Sequence, residues 1–303
     1  MAAGRIHLFG RFEACTAGGN AISGLDPRKV QELFSYLLLT RTKPVQRERL
    51  ADLLWPNVDT LRSKKYLRQA LWQLQKVVDA LDLPAGRQLL LVDQNWIKLN
   101  PQAGIWVDVI AFEESYQESV RRPGRVVPPA ARATLVEAVD LYRGELLDGW
   151  YHDWVEHPRY VYRTMYLALL DKLMLDAECS GEWEAGLAYG LRALDEDRAN
   201  ERTHVRMMRL HRIAGNRTEA LRQYQACAAA LRDELAVEPE PATTDLYELI
   251  RGSGRVGARP RPPAPPAAGP DAGSGGRHLS EVIRSLRQLQ QEVAVRIQAL
   301  EEG

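Results

Sequence analysis

A run of basic side chains uninterrupted by acids stands out in the first third of the 303-residue sequence. Five bases and no acidic residue fall between Thr60 and Val78. Lysine and arginine neutralise nucleic-acid phosphates, and arginine and glutamine also hydrogen-bond to base edges in the major groove. The candidate DNA-binding residues of this segment are Ser63, Lys64, Lys65, Arg68, Gln69, Trp72, Gln73 and Lys76. The alternative is an ordinary solvent-exposed charged helix face.

The apolar residues of the same segment predict an amphipathic helix from about residue 59 to residue 81. The residues that recur at three- and four-residue spacing are Leu67, Ala70, Leu71, Leu74, Val78 and Leu81. The basic and glutamine side chains then lie on the opposite face. Trp72 on that face either contacts a thymine methyl group or a sugar, or packs beneath the element that follows.

A predicted β-hairpin follows the basic helix. Its strands are Gln88–Val92 and Ile97–Leu99, with a polar turn between them. The candidate contacts to a minor groove or to the DNA backbone are Asn95, Trp96 and Lys98. The alternative is an ordinary polar turn against which Trp96 packs.

The elements before the basic helix complete the pattern of a winged helix-turn-helix. Alternating residues predict a strand over 5–12, and a short second strand is expected at 21–23. Asp26 is expected to cap a first helix that begins at Pro27. A short second helix precedes the basic one, and Lys43 and Arg47 near its start are either phosphate contacts or plain surface charges. Strands, three helices and a hairpin predict a winged-helix domain over residues 1–108, with its last helix in the major groove.

The sequence pattern of residues 109–251 predicts helices almost throughout, and it contains an internal repeat. Gly181 and Gly215, and likewise Leu187 and Leu221, are separated by 34 residues. That period is typical of tetratricopeptide helix pairs, which stack because a single pair cannot bury its apolar face. A dense aromatic cluster over 150–166 either packs the first helices together or lines a concave binding surface.

Residues 252–278 are rich in proline and glycine and predict a linker. Residues 279–303 then predict a lone helix, in which Leu279, Leu286, Val293 and Leu300 fall seven residues apart. This weak coiled-coil pattern favours a homodimer through 279–300, with docking on another protein or fraying in solution as alternatives.

Composition and motifs exclude several function classes. The formal net charge is 0, yet residues 1–110 carry 15 bases and 10 acids, which suits a polyanionic partner for that part. The sequence lacks a phosphate loop, a Gly-x-Ser-x-Gly motif and any histidine spacing typical of a metal site, so we expect no catalytic, metal or cofactor site. It lacks an apolar stretch of membrane-spanning length, and its three cysteines are widely spaced. We therefore expect a cytoplasmic protein that is not an enzyme and does not contact a membrane.

Several segments together resemble a known family. They are Ile6–Gly10, Lys29–Leu38, Pro44–Leu50 with Leu54–Trp55, Leu67–Leu74, Ala138–Gly144, Gly215–Tyr224 and Leu231–Pro239. The chain resembles antibiotic regulatory proteins of the SARP-like type, in which an OmpR-like winged helix precedes a bacterial transcriptional activator domain (BTAD). The resemblance, which covers about residues 1–250, implies a mainly α fold with an N-terminal α+β winged helix-turn-helix and an all-α tetratricopeptide-like repeat domain. The heptad pattern of this chain adds a C-terminal lone helix.

The resemblance also implies a role for individual residues and partners. Lys65, Arg68, Gln69 and Trp72 fall on the family's recognition helix, and the implied partners are double-stranded promoter DNA and RNA polymerase. Relatives often carry an arginine where this chain has Gln75, and many larger relatives append an ATPase module where this chain has its proline-rich segment. The favoured function is a sequence-specific transcriptional activator. The alternative is a helical-repeat adaptor whose winged helix serves protein contacts.

Overall fold

The computed structural model describes residues 4–81, 83, 88–100, 103–121, 124 and 126–252. The predicted C-terminal helix, and the predicted linker apart from Gly252, lie outside the described residues. The described strands are β1 (Gly4–His7), β2 (Glu13–Thr16), β3 (Val45–Gln46), β4 (Leu90–Val92), β5 (Trp96–Leu99) and β6 (Ile105–Val107). The described helices are α1 (Arg28–Leu39), α2 (Arg47–Leu54), α3 (Thr60–Asp79), α4 (Asp108–Arg121), α5 (Pro129–Leu141), α6 (Asp153–Ser180), α7 (Trp183–Glu196), α8 (Glu201–Ile213), α9 (Arg217–Leu235) and α10 (Pro241–Gly252).

The described chain divides into two compact units. The first unit holds the described residues of 4–114 and 140–164, and the second holds those of 115–139 and 165–252. The helices α4, α5 and α6 each have residues in both ranges. The domain division predicted at residue 108 stays a prediction.

The first unit contains two small sheets. One has the strand order β2-β1-β6, in which β1 pairs antiparallel with β2 and parallel with β6. The other has the order β3-β5-β4 and is antiparallel throughout. The second sheet contains the hairpin that the sequence predicts after the basic helix.

Two strand predictions near the N-terminus are wrong. The strand that pairs with β1 is Glu13–Thr16 rather than 21–23, and Ala21 forms only an isolated bridge with Cys15. The chain turns early because the Thr16 amide donates to Asn20 O and Gly19 adopts a φ of +83°, which glycine tolerates without strain. β1 ends at His7, since the amides that follow it donate to a side chain instead of to a strand.

That side chain is the buried carboxylate of Asp108, which accepts hydrogen bonds from the amides of Leu8 and Phe9 at 2.8 and 3.0 Å. Asp108 is the first residue of α4 and also accepts from the Val109 amide. Its place at the start of α4 is therefore only part of its role. Its main effect is to join two segments that are 100 residues apart.

The helices α1, α2 and α3 surround an apolar core that includes Leu33, Leu50 and Leu74, each fully buried. The expected cap of α1 by Asp26 is wrong. Pro27 occupies the N-cap position, and no side chain caps this helix. Pro27 is extended, with φ −65° and ψ 122°, and its ring has no hydrogen-bond acceptor, so it cannot cap the helix.

Residues 140–164 complete the core of the first unit. Phe9 packs against Phe112, Tyr142 and Tyr162, with ring centroids 5.0 to 5.4 Å apart. The guanidinium of Arg159 donates to the carbonyls of residues 146, 147 and 150. The aromatic cluster predicted over 150–166 is mostly packing, because Trp150, Tyr162 and Tyr166 are buried. Tyr151 and Tyr160 are exposed.

The second unit contains helix pairs that repeat after 34 residues, as the sequence predicts. Gly181 follows α6 and Gly215 follows α8, with φ values of +79° and +81°. Both glycines end their helices in the left-handed conformation that this position requires. Gly186 and Ala220 are the equivalent small residues at which helices approach closely; a Cβ added at Gly186 would lie 2.9 Å from Leu210 Cδ1. Within the part of the chain that the structure describes, no helix combines the length and the apolarity needed to span a bilayer.

Candidate nucleic-acid interface

The helix α3 separates its apolar and basic residues onto opposite faces. Asp59 caps it by accepting from the Arg62 amide at 3.1 Å, and Lys76 stands in its last turn, where a cation is favourable. Leu67, Leu71 and Leu74 are buried. The apolar face thus anchors α3 in the first unit and turns the other face outward.

The exposed side chains of α3 form a stripe at three- and four-residue spacing, which we call the α3 stripe. Its members are Lys65, Arg68, Gln69, Trp72 and Lys76, all exposed. Lys76 Nζ lies 3.7 Å from the centroid of the Trp72 ring, and Trp72 is 58% exposed. Trp72 therefore does not pack beneath the hairpin, so that alternative is wrong. It offers an apolar surface beside a positive charge.

Three other predicted residues of α3 lie outside this stripe. Ser63 is fully buried, and its hydroxyl donates to Thr60 O at 3.1 Å. It lies on the buried side of α3, where a ligand cannot reach it. Its assignment as a DNA contact is therefore corrected. Gln73 is half-buried at the flank of the stripe. Lys64 is half-buried and donates to Glu48 Oε1 at 2.5 Å.

Glu48 is an exposed acid at the start of α2. The hydrogen bond from Lys64 and, next, the positive charge of Lys64 lower the pKa of Glu48 below its usual value. Lys64 is consequently held toward α2. It presents a partly neutralised charge rather than a free ammonium.

The turn of the hairpin, which we call the wing turn, has a defined conformation. The carboxylate of Asp93 accepts from the amides of Asn95 and Trp96 at 2.7 and 2.8 Å. These two backbone hydrogen bonds, the one from Trp96 first, lower the pKa of Asp93. Trp96 is 40% exposed, so it is not simply packed, and Asn95 and Lys98 are exposed.

Arg47 connects α2 to the wing turn. Its amide donates to Asn95 O at 2.8 Å, and its guanidinium donates to Asp93 O at 3.0 Å. The pairing of β3 with β5 places the preceding residue, Gln46, opposite Trp96. Arg47 is therefore chiefly a residue that positions the wing turn. Lys43 is exposed in the turn before β3, away from any contact described for the stripe or the wing turn.

The sequence did not reveal some residues of this surface. Leu61 is 82% exposed and Tyr66 is 39% exposed on the outer side of α3. The Asp93-x-Asn95 pattern is a recognisable signal for a side chain that bonds to the backbone two residues later. The pairing of Glu48 with Lys64 had no comparable signal, because it joins two helices.

The arrangement suits the binding of a polyanion. The α3 stripe supplies cations for phosphates, an arginine and a glutamine for base edges and an indole for apolar contact. The residues that the structure describes contain no group of three or more histidine, cysteine or acidic side chains able to hold a metal ion.

Comparison with known proteins adds a family and a fold. Residues 107–251 match the family model described as the bacterial transcriptional activator domain, BTAD. The search of curated proteins found no match.

A solved structure of Mycobacterium tuberculosis EmbR in complex with a low-affinity phosphopeptide is similar to the chain with a TM-score of 0.70. The two sequences are 19% identical, and the aligned region covers 95% of this chain and 72% of the EmbR chain. The two proteins therefore share a fold. The C-terminal tetratricopeptide-containing domain of a Plasmodium falciparum FK506-binding protein matches with a TM-score of 0.33 and 12% identity, over 49% of this chain and 88% of that chain. The EmbR likeness confirms the mainly α fold with a small N-terminal sheet region and helical repeats. The BTAD match over residues 107–251 supports the resemblance to SARP-like transcriptional regulators.

Proposed function

We propose that this chain, whose residues 107–251 carry a bacterial transcriptional activator domain, regulates transcription by binding promoter DNA through α3. The α3 stripe is the observation that carries this proposal. It combines exposed phosphate-binding and base-reading side chains on a helix that has no acid between Thr60 and Val78. A solvated helix face would not require a neighbouring hairpin, whereas a winged helix uses one on the flanking backbone.

In the proposed complex, the α3 stripe enters the major groove. Arg68 and Gln69 read base edges, for which their side chains suit guanine and adenine respectively. Lys65 and Lys76 contact phosphates, and Lys43 and Lys98 are further phosphate candidates. Asn95 and Trp96 of the wing turn lie against the flanking backbone or minor groove, in a position that Arg47 fixes.

The helical repeats of the activator domain are the proposed site for RNA polymerase. This assignment rests on the family resemblance and on the description of the matched domain as a transcriptional activator. We assign the protein to the cytoplasm, where promoter DNA and polymerase are available, and we retain a homodimer through 279–300 as part of the proposal.

The test is to compare two double variants of the full chain. Lys65→Ala with Arg68→Ala removes two bases from the α3 stripe. Arg222→Ala with Arg232→Ala removes two exposed bases from α9, so it changes net charge equally. Duplexes selected from a random library provide the target, and affinity is measured across a salt series.

We expect the stripe variant to bind its selected duplex about a hundredfold more weakly or worse, since a base-reading pair contributes roughly 1–3 kcal/mol and phosphate contacts add to it. Its log-log salt slope should shrink by roughly 0.9 for each phosphate that the variant no longer neutralises. The α9 variant should bind as the unaltered chain does, and circular dichroism should show both variants folded. If the stripe variant and the α9 variant bind DNA equally well, α3 is not the helix that contacts DNA. If the unaltered chain is not retained on any duplex at low salt, the adaptor function is favoured instead.

A further inference from the structure

Trp72 is a large apolar side chain in the middle of the basic α3 stripe. It is 58% exposed, whereas Leu71 and Leu74 of the same helix are buried. Single exposed apolar residues are common on proteins, so exposure by itself indicates no function. Two further features distinguish Trp72. A neighbouring cation holds its ring, and the residues proposed to read bases precede it by one helical turn.

The cation that holds the ring is Lys76. Its Nζ lies 3.7 Å from the centroid of the indole, well inside the distance of about 6 Å at which a cation is attracted to an aromatic ring. The two residues are four positions apart on one helix, so they are neighbours on its surface whatever α3 contacts. The indole therefore has a preferred orientation, with the ammonium against one face and the rest of the ring available to a ligand.

The position of Trp72 on α3 determines which part of a duplex it meets. At about 100° per residue, Trp72 points in a direction between those of Arg68 and Gln69. It lies about 4.5–6 Å further along the helix axis, and successive bases along a strand are about 3.4 Å apart. In a complex where Arg68 and Gln69 read base edges, the indole therefore faces the base edges one or two pairs away. Sugars and phosphates lie to either side of that direction.

Thymine is the base whose edge in the major groove matches an indole. Among the four bases, thymine alone presents an apolar group there, its C5-methyl, and its O4 beside the methyl accepts a hydrogen bond. Indole offers apolar surface and one donor, Nε1–H. None of the residues that the structure describes accepts a hydrogen bond from the Trp72 Nε1. The ring and its donor are thus both available to the base.

We propose that Trp72 is a specificity-determining residue that recognises thymine through its C5-methyl group, and that Lys76 positions the indole for this contact. The ammonium of Lys76 rests on one ring face and still has donors directed outward, so it also contacts a phosphate. The inference rests on the DNA binding proposed for α3. It adds the base that the aromatic residue recognises.

Deoxyuridine is the probe, because it lacks only the methyl group of thymidine and keeps O4. The full chain is bound to the duplex selected from the random library, and each thymidine of that duplex is then replaced in turn by deoxyuridine. We expect one replacement, or two adjacent ones, to weaken binding about fourfold, the effect of leaving one methyl-sized group unburied. Replacements elsewhere in the duplex should have no effect.

Trp72→Gln keeps a long side chain with a donor and removes the apolar ring. It should bind the thymidine and deoxyuridine duplexes equally. Both proteins meet the same pair of duplexes, so any effect of deoxyuridine on the duplex itself cancels. Tyr66→Gln is the matched control, since Tyr66 is another exposed aromatic residue of α3, and its ring lies 6.1 Å from that of Trp55. This control should keep the fourfold difference.

Lys76→Gln tests the positioning role. We expect it to reduce the fourfold preference for thymidine, which the loss of a phosphate contact alone would not do, because a phosphate contact is the same in both duplexes. An unchanged preference would overturn the role of Lys76.

Three results would overturn the assignment of Trp72 and leave DNA binding by α3 in place. They are a selected site without an invariant thymidine, no weakening at any replaced position, and a weakening that persists in Trp72→Gln. If the full chain binds no duplex at low salt, the DNA binding proposed for α3 is itself wrong, and the assignment of Trp72 falls with it.

Discussion

Lys64 Nζ of α3 lies 2.5 Å from Glu48 Oε1 of α2. An acidic side chain is thus part of the surface that we propose for DNA, and it holds one of the bases of that surface. The side chains of Lys64 and Glu48 are 42% and 72% exposed, so solvent screens the pair and it contributes little to stability. The pair instead affects DNA binding, because a DNA phosphate must compete with Glu48 for the Lys64 ammonium.

Replacing Glu48 with glutamine should strengthen DNA binding. The change removes a negative charge from the surface and frees Lys64 for a phosphate. We expect a mixed-sequence duplex to bind about three- to tenfold tighter, with a log-log salt slope steeper by roughly 0.9. Glu219→Gln is the control, since Glu219 is an exposed acid that pairs with Arg222 on α9. An unchanged affinity for Glu48→Gln would show that this part of α2 lies outside the DNA contact.

The wing turn should lose its order when Asp93 is protonated or replaced. Its pKa is lowered by the amide hydrogen bonds, so the stabilisation is complete above the ordinary aspartate pKa of about 3.9 and disappears as the pH falls through the lower folded value. We expect the amide resonances of Asn95 and Trp96 to titrate with a midpoint below the ordinary aspartate value, because their hydrogen bonds lower the pKa of Asp93. Asp93→Ala should abolish this titration and weaken DNA binding at neutral pH. A midpoint at or above the ordinary value would contradict the observed hydrogen bonds.

Removing the Asp108 carboxylate should destabilise the first unit. Asp108→Ala leaves the buried amides of Leu8 and Phe9 without their acceptor, at a cost of roughly 1–3 kcal/mol for each group. We expect the free energy of unfolding in urea to fall by about 2–5 kcal/mol. Asp26→Ala is the matched control and should change it by less than about 0.5 kcal/mol, because Asp26 does not cap α1.

Adding one methyl group at Gly186 should destabilise the helix repeats. The new Cβ would lie 2.9 Å from Leu210 Cδ1 and 3.2 Å from Ala177 Cβ. We expect Gly186→Ala to cost about 1–2 kcal/mol, since overpacking exceeds the gain in helix propensity. Gly252→Ala has no heavy atom within 4 Å of its new Cβ and should be nearly neutral. Thermal or urea unfolding measures both, and a stabilised Gly186→Ala would show that the helices can separate at no cost.

Part of the proposed interface was predictable because its signals are local. The spacing of Leu67, Leu71 and Leu74 fixes which face of α3 is buried, and the absence of acids fixes the charge of the other face. Ser63 shows the limit of that reasoning. It is polar, but it falls within the buried arc of the helix, so polarity alone misassigned it.

The sequence by itself determined the α3 stripe, the hairpin after it and the 34-residue helix repeat, because periodicity and turn residues act between near neighbours. Only the tertiary structure decided that residues 140–164 pack against Phe9, just after β1, and that Asp108 satisfies the amides of Leu8 and Phe9. It alone showed that Glu48 holds Lys64. These contacts join residues that lie from 16 positions apart (Glu48 and Lys64) to 153 positions apart (Phe9 and Tyr162), and no spacing rule reports them. Their partners are chosen by the packing of the core, which brings polar groups together after the local elements have formed.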